Sequence, residues 1–496
     1  MSGMRKPGDC AGRAPMRIRR GRKPRGMVEM RENGAWFWLF GSSCLQNYHI
    51  SLPEKVNKIL TVLHDAGYEA FAVGGCVRDT MLGKVPNDWD ITTSAHPEDV
   101  KRLFRRTVDT GIQHGTVTVM LGSEGFEVTT YRIDGEYEDA RHPKEVSFTS
   151  SLREDLRRRD FTINAMAYSP QNGLIDYFDG LTDLRRGVIR AVGDPEERFR
   201  EDALRIMRAV RFSAQLGYHI EENTKRAVQD MAPNLAKISA ERIASELTRL
   251  LVSPHPEELR TMVETGITAV ILPELDVCME TPQHNPHHCY SVGEHIIHAV
   301  AAVRADKVLR YTMLFHDLGK PTCHTRDEQG IDHFKGHAAV SADMAHAIMK
   351  RLKFDNETLK QVETLVRYHD LAMEETSRSV RRGIARVGED LFPLLLEVKM
   401  ADGAAQSEYR RAEKRRKVEA WRAIYEQILR DKSCISLRQL AVRGSDLIAA
   451  GMKPGPEMGE VLHQMLEDVL DEPSHNQKEY LMRQYCPGGG AGEEAR

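Results

Sequence analysis

The sequence predicts a small α/β head followed by a long all-α body, on three observations. Strand-like runs at 70–74, 88–92, 116–121 and 126–133 are mixed with helical periodicity at 51–66 and near 97–106. From about residue 195 onward, apolar residues recur at helical spacing and strand patterns almost vanish. At 496 residues, 41% hydrophobic and 29% charged, the chain has the length for several cores of a globular protein.

The elements follow in order. Residues 1–50 are rich in Arg and Gly at their start and poor in apolar residues, so a disordered basic extension is expected. Residues 51–66 read as an amphipathic helix, with Val56, Ile59, Leu60 and Leu63 on one side. The head is assigned to 51–194, a helical neck to 195–260, a second helical unit to 261–375 and a helical tail to 376–496. The run Pro487-Gly488-Gly489-Gly490 begins a frayed end.

Composition excludes several classes. No apolar stretch approaches the roughly 20 residues of a membrane span. Eight cysteines without a C-x-x-C pair suggest neither a disulfide framework nor structural zinc, which fits a reducing cytoplasm. A net charge of −3 argues against a uniformly basic nucleic-acid binder but leaves local basic surfaces open. The run 408–422, EYRRAEKRRKVEAWR, places Arg411, Lys414, Arg415 and Arg422 within reach of one helix face. A solvated helix surface is at least as good a reading of it as RNA contact.

The chemistry concentrates around Asp88 and Asp90. In an extended segment both carboxylates share one face and Trp89 takes the other. Two carboxylates aimed at one point repel unless a cation lies between them, and Mg²⁺ suits a site completed by waters and phosphates. Gly74 and Gly75 permit close backbone approach to a triphosphate, and Arg78 adds a forked donor. The pattern reads as metal-dependent nucleotidyl transfer.

Val73-Gly74-Gly75-Cys76-Val77-Arg78-Asp79, Leu82-Gly83, Asp88-Trp89-Asp90 and Thr92-Thr93 resemble the first motif of class II tRNA nucleotidyltransferases and bacterial poly(A) polymerases. Arg158-Arg159-Asp160-Phe161-Thr162-Ile163-Asn164-Ala165 and Glu201-Asp202-Ala203-Leu204-Arg205 resemble later motifs, in the family's order. The resemblance runs from about residue 51 to about 485. It implies an α/β nucleotidyltransferase head, with tRNA, CTP and ATP as partners and Mg²⁺ as cofactor. Because it begins near Ser51, much of the first fifty residues reads as an upstream-start artefact, with Met27 and Met30 as alternative starts. An RNA-binding arm or a transit peptide are its other readings.

Glu127 is the expected third carboxylate, sharing a strand face with Thr129 and Tyr131 opposite Phe126 and Val128. Two metals held by Asp88, Asp90 and Glu127 would activate the RNA 3′-hydroxyl and neutralise the leaving pyrophosphate. Arg158, Arg159, Asp160 and Asn164 form a polar cluster opening an apolar, helix-like stretch. Arg159 reads as a phosphate ligand and Asp160 as a ribose acceptor. The other reading is a helix cap at Asp160 with Arg159 paired to Glu154 or Asp155. The polar segment from Asp134 to Pro143 matches a mobile loop that the resemblance implicates in the switch from C to A addition.

In the neck, Asp202, Arg205, Arg208 and Arg211 form a stripe opposite Ala203, Ile206, Met207 and Val210. Three arginines with one acid leave positive charge for a triphosphate to balance. Asp202 accepting from an exocyclic amino group and Arg205 donating to the adjacent ring nitrogen would admit cytosine and adenine while rejecting guanine and uracil. An intrahelical Asp202–Arg205 ion pair is the alternative.

The segment 284–295, His316-Asp317, His337 and Tyr368-His369-Asp370 resemble HD-domain metal-dependent phosphohydrolases. His295, His316, Asp317 and Asp370 are the expected ligands of a second divalent metal, with His337 a further ligand or substrate contact. The resemblance implies phosphatase or 2′,3′-cyclic phosphodiesterase activity; a degenerate fold serving as RNA scaffold is the other reading. The leading expectation for the whole chain is CCA addition to tRNA. Its alternatives are poly(A) polymerisation, CC-only or A-only addition, and an HD phosphohydrolase carrying a relic head. Gly111-Ile112-Gln113-His114-Gly115-Thr116 resembles the CCA-adding form.

Overall fold

The computed structural model describes residues 28–32, 35–39, 49–134 and 146–486. Most of the first fifty residues lie outside them, as do residues 135–145, which take in all but the first residue of the expected mobile loop, and the run from Pro487. Within the segment expected to be disordered, Val28–Glu32 and Ala35–Leu39 pair as an antiparallel ribbon. The run Ala35-Trp36-Phe37-Trp38-Leu39 has the aromatic content that favours strands, against the Arg/Gly-rich composition preceding it.

The head carries a seven-stranded mixed sheet. Its strands are β1 (Ala70–Val73), β2 (Ile91–Thr93), β3 (Thr107–Gly111), β4 (Thr116–Leu121), β5 (Glu124–Thr130), β6 (Met166–Ser169) and β7 (Gly173–Asp176). Their spatial order is β7-β6-β1-β2-β5-β4-β3. The β2–β5 pair is parallel and every other neighbour is antiparallel. The helices of the head are α1 (Glu54–Asp65), α2 (Gly75–Met81), α3 (Pro97–Leu103) and α4 (Leu152–Arg157).

Val56, Ile59, Leu60 and Leu63 of α1 bury against Ile91, Val117, Val119, Phe126 and Val128. That alternation leaves the other face of β4 and β5 to Thr116, Thr118, Glu127 and Thr129. On this second face Phe71, Val73, Tyr131, Leu152 and Leu156 form a smaller core beneath α4.

Two expectations change. Residues 88–90 lead into β2 and the strand begins only at Ile91, because Pro86 lacks an N–H and the chain bends at Asn87. The stretch after Asn164 is a strand, not a helix: Met166, Ala167, Tyr168 and Ser169 are all buried between β1 and β7. Burial on both faces erases the alternation that marks a strand in sequence.

The body is helical, with α5 (Pro195–Glu201), α6 (Leu204–Leu216) and α7 (Ala240–Leu251) forming the neck. Further on, α8 (Val292–Ala302), α9 (Lys307–Phe315), α10 (His337–Arg351), α11 (Asn356–Tyr368), α12 (Phe392–Ala405) and α13 (Arg411–Arg430) build the second unit and open the tail. One core runs continuously from Cys76 and Phe161 in the head through the neck to Val398 and Ala405. A separate core between Leu365 and Leu481 holds the tail. Among the described residues no helix is long and apolar enough to cross a membrane.

Candidate active site

The glycine pair makes the turn from β1 into α2. Gly74 has φ +84°, and a Cβ there would stand 2.6 Å from Arg159 Nη1, so both the turn and the close approach require glycine. Arg78, one turn into α2, donates from Nη1 to Asn164 Oδ1 at 2.6 Å and from Nε to Asp79 at 2.9 Å. Asn164 Nδ2 in turn donates to Asp160 at 3.1 Å, and Asp160 pairs with Arg208 at 2.6 Å. Four of the expected nucleotide-binding residues thus form one chain joining α2, the segment before β6, and α6.

Arg159 lies half-buried against Gly74, and its Nε finds no hydrogen-bond partner among the described residues. Burial lowers its pKa, with Asp155, Asp90 and Asp160 opposing that shift. Arg158, not Arg159, takes Asp155, donating to Oδ1 at 2.8 and 3.0 Å. Asp160 Oδ1 accepts from its own neighbour, Phe161 N, at 2.8 Å.

Asp88, Asp90 and Glu127 line one cavity of about 770 Å³ together with Asn87 and Trp89. The carbonyl of Asp90 accepts from Val73 N at 3.0 Å, continuing the pairing of β2 with β1 by one residue. Ile91 is level with Val128 on the neighbouring parallel strand, so Asp90 and Glu127, one residue earlier on each, lie side by side on the face away from α1. Trp89 packs into the core, as alternation requires. Burial raises the Asp90 pKa; Arg159 opposes the shift and the Asp88 carboxylate adds to it. An all-carboxylate donor set with internal repulsion fits a hard divalent cation.

The neck departs from expectation. Asp202 is extended, at φ −139° and ψ 103°, and separates α5 from α6 rather than lying within one helix. No uncompensated arginine stripe exists, because the balancing acids come from other elements. Arg205 pairs with Glu201 at 2.6 Å, Arg208 with Asp160, and Arg211 with Glu246 of α7 at 2.5 Å. The intrahelical Asp202–Arg205 pair is also absent: Asp202 is held by Arg242 at 2.8 Å and by Leu204 N at 3.1 Å. Arg205 is further fixed by the carbonyls of Arg198 at 3.1 Å and Arg158 at 2.7 Å. Asp202 and Arg205 are therefore two rigidly oriented groups at the entrance to α6. Arg242 and Glu246 carried no sequence signal, since pairing across elements has no fixed spacing.

In the second unit the structure brings together six ligand-type side chains as two groups: His295, His316 and Asp402, and Asp317, His337 and His369. His295 Nε2 faces His316 Nε2 at 3.2 Å, and His337 Nε2 faces His369 Nε2 at 3.2 Å. Asp317 lies between, 3.3 Å from both His316 and His337. The Nδ1 atoms of His316, His337 and His369 lie 2.7, 2.8 and 2.7 Å from the carbonyls of Met313, Phe334 and Val366. Each Nδ1 therefore carries the proton, and the Nε2 lone pairs face inward as metal ligands require.

Asp370, the expected ligand, belongs to neither group. His369 turns inward at the end of α11 while the next residue stays exposed. Asp402 was missed because it falls on α12, beyond the boundary assumed at 375. Four cations of the basic run 408–422 pair with acids: Arg410 and Lys417 with Glu413, Arg415 with Glu419, and Arg416 with Glu375 outside the run.

Fold and site together define a nucleotidyltransferase with an α/β catalytic head on a helical body. Residues 70–190 match the family described as "Poly A polymerase head domain", 217–279 that of a "Probable RNA and SrmB- binding site of polymerase A", and 325–484 a "tRNA nucleotidyltransferase domain 2". A CCA-adding enzyme of Lactiplantibacillus plantarum is 37% identical over 86% of this chain and 95% of its own length. One from Leuconostoc mesenteroides is 57% identical over 210 residues, 42% of this chain and 52% of the relative. The crystal structure of a Bacillus stearothermophilus CCA-adding enzyme in complex with CTP superposes with a TM-score of 0.65 at 30% identity, covering 86% of this chain and 96% of that one. The chain belongs to the CCA-adding enzyme family of nucleotidyltransferases.

Proposed function

We propose that this chain builds or repairs the 3′-terminal CCA of tRNA, transferring nucleotides from CTP and ATP and releasing pyrophosphate. The observation that carries this reading is the placement of Asp88, Asp90 and Glu127 around one cavity, with the Arg159 guanidinium against the Gly74 turn and close enough to act on Asp90. Asp88, Asp90 and Glu127 would hold Mg²⁺, which when bound supplies charge neutralisation at the triphosphate and lowers the pKa of the attacking 3′-hydroxyl. Gly74, Gly75 and Arg159 receive phosphates, and Arg78 and Asn164 fix the turn that does so. Asp160, locked by Asn164 and Arg208, presents its carboxylate toward a ribose.

Asp202 and Arg205 read the Watson–Crick edge. Their anchoring by Arg242, Glu201 and two backbone carbonyls supports a template that keeps its shape between cycles. The arginines of α6 do not supply free positive charge; Arg211, buried with Glu246, braces α6 against α7.

The test is incubation with tRNAs ending at the discriminator base, at C and at CC, offering each nucleotide singly and CTP with ATP. Stepwise C, C, A addition that then stops and ignores GTP and UTP is expected. Long A tails from ATP alone would make the chain a poly(A) polymerase. Arrest after CC, or addition of A only, would make it a partial enzyme.

The inward-facing Nε2 atoms favour a second activity, hydrolysis of phosphoesters at a metal site held by His295, His316, Asp317, His337, His369 and Asp402. Imidazole with carboxylate suits transition metals, which when bound supply an activated water. Asp317 is held well below the usual carboxylate range, with His316 and Lys320 outweighing its burial. His316→Ala is expected to lower bound metal, measured by mass spectrometry of the purified protein, and to abolish phosphatase activity while CCA addition persists. Metal-free wild-type protein after incubation with Mn²⁺, Ni²⁺ or Mg²⁺ would leave the cluster as scaffold.

A further inference from the structure

We propose that a face of four threonines beside the catalytic carboxylates seats the sugar–phosphate backbone at the 3′ end of the acceptor RNA. This rests on the nucleotidyl-transfer reading above, which requires an RNA 3′-hydroxyl to arrive beside Glu127.

The face is defined by strand register. Thr118 of β4 pairs with Glu127 of β5, and Thr116 pairs with Thr129. The three threonine side chains therefore point away from α1, as Glu127 does, while Val117 and Val119 bury on the opposite side. Thr110 of the edge strand β3 joins them, its Oγ1 lying 2.8 Å from Thr118 Oγ1. Thr116 Oγ1 lies 3.0 Å from Thr129 Oγ1. Asp109, between Val108 and Thr110, turns to the other face and pairs with Lys101 of α3 at 2.8 Å. The hydroxyl face thus continues from Glu127 to the sheet edge, with Asp109 turned away from it.

Gly125 shapes it further. A Cβ there would stand 2.8 Å from Thr118 Cγ2, so the threonine methyl lies over the glycine and the hydroxyl points toward Thr110. Thr110 is exposed, and Thr116, Thr118 and Thr129 remain partly accessible.

The chemistry suits a strand that must move. Each hydroxyl both donates and accepts, so it serves a ribose 2′-hydroxyl and a phosphate oxygen alike without selecting a base. The hydroxyls satisfy one another in pairs, so an arriving ribose exchanges one neutral hydrogen bond for another. Neutral bonds are individually weak, about 0.5–1.5 kcal/mol net. Arginine or lysine contacts would hold the strand more tightly and resist the one-nucleotide advance that each addition demands.

The experiment measures affinity for tRNA lacking its CCA, and for the same tRNA carrying 2′-deoxyribose at its terminal nucleotide, in wild type, Thr118→Val, Thr116→Val and Thr118→Ser. Valine keeps branching and strand preference while removing the hydroxyl. Each valine variant should bind RNA roughly threefold to tenfold more weakly, the equivalent of one lost hydrogen bond. CTP affinity should stay at the wild-type value. Thr118→Ser should restore RNA binding, and Thr118→Val should no longer distinguish ribose from 2′-deoxyribose.

Unchanged RNA affinity in both valine variants would overturn the proposal, as would an equal loss of CTP affinity. Retained ribose discrimination in Thr118→Val would also overturn it. Wild-type protein that adds no nucleotide to any tRNA would instead remove the parent reading, so the two failures are separable. The ratio of wild-type affinities for the ribose and 2′-deoxyribose ends needs no variant and keeps the test decisive should a valine variant fold poorly, since equal affinities would overturn the proposal.

Discussion

Asp88→Ala lowers nucleotide incorporation by about 10²- to 10³-fold or more, the scale of losing one group that stabilises transition-state charge. The carboxylate lines the cavity with Asp90 and Glu127, and the pairing of Ile91 with Val128 lays those two side by side. Asp88 occupies the lead-in to β2 and makes no packing contact with the core, so the variant is expected to fold. Single-nucleotide gels with CTP and ATP read the loss. Any hydrolysis of a phosphomonoester by the same preparation should be unchanged, because no head residue belongs to the histidine cluster. Incorporation at wild-type rate would show the metal assignment to be wrong.

Glu246→Ala destabilises the protein by about 3–5 kcal/mol, the cost of leaving a buried ion unpaired. Arg211 and Glu246 side chains are only 7% and 8% exposed and meet at 2.5 Å. Burial already pushes the Arg211 pKa down to about 10 against the pull of Glu246, so the cation without its partner has no stable place between α6 and α7. Denaturant unfolding followed by circular dichroism reads the change. The double variant Arg211→Met/Glu246→Leu should recover most of the loss, since it removes both charges at similar volume. A Glu246→Ala protein as stable as wild type would return Arg211 to the pool of groups free for a triphosphate.

These two variants mark different depths of legibility. Asp88 and Asp90 are separated by one residue on an extended segment, and local geometry alone puts their carboxylates on one side. The Gly74 turn was readable for the same reason, as was Glu127 from alternation along its strand. The role of Arg211 was not readable, because its partner lies 35 residues away on a helix whose approach depends on packing. An uncompensated arginine stripe was the reasonable inference from one helix viewed alone. The second unit repeats the lesson: His316 and Asp317 were visible as a pair, whereas choosing His369 over its neighbour Asp370 required knowing how α11 ends.

The sequence by itself determined the α/β head with its helical body, the three carboxylates, the glycine turn and the histidine-rich unit. Each is written in spacings of one to four residues, where backbone geometry leaves few outcomes. Only the tertiary structure decided that Asp202 answers to Arg242, that Asp402 closes the histidine cluster, and that four threonines continue the face of Glu127. Those arrangements depend on strand register and helix docking, which arise from the summed burial of many side chains and leave no fixed interval in the chain.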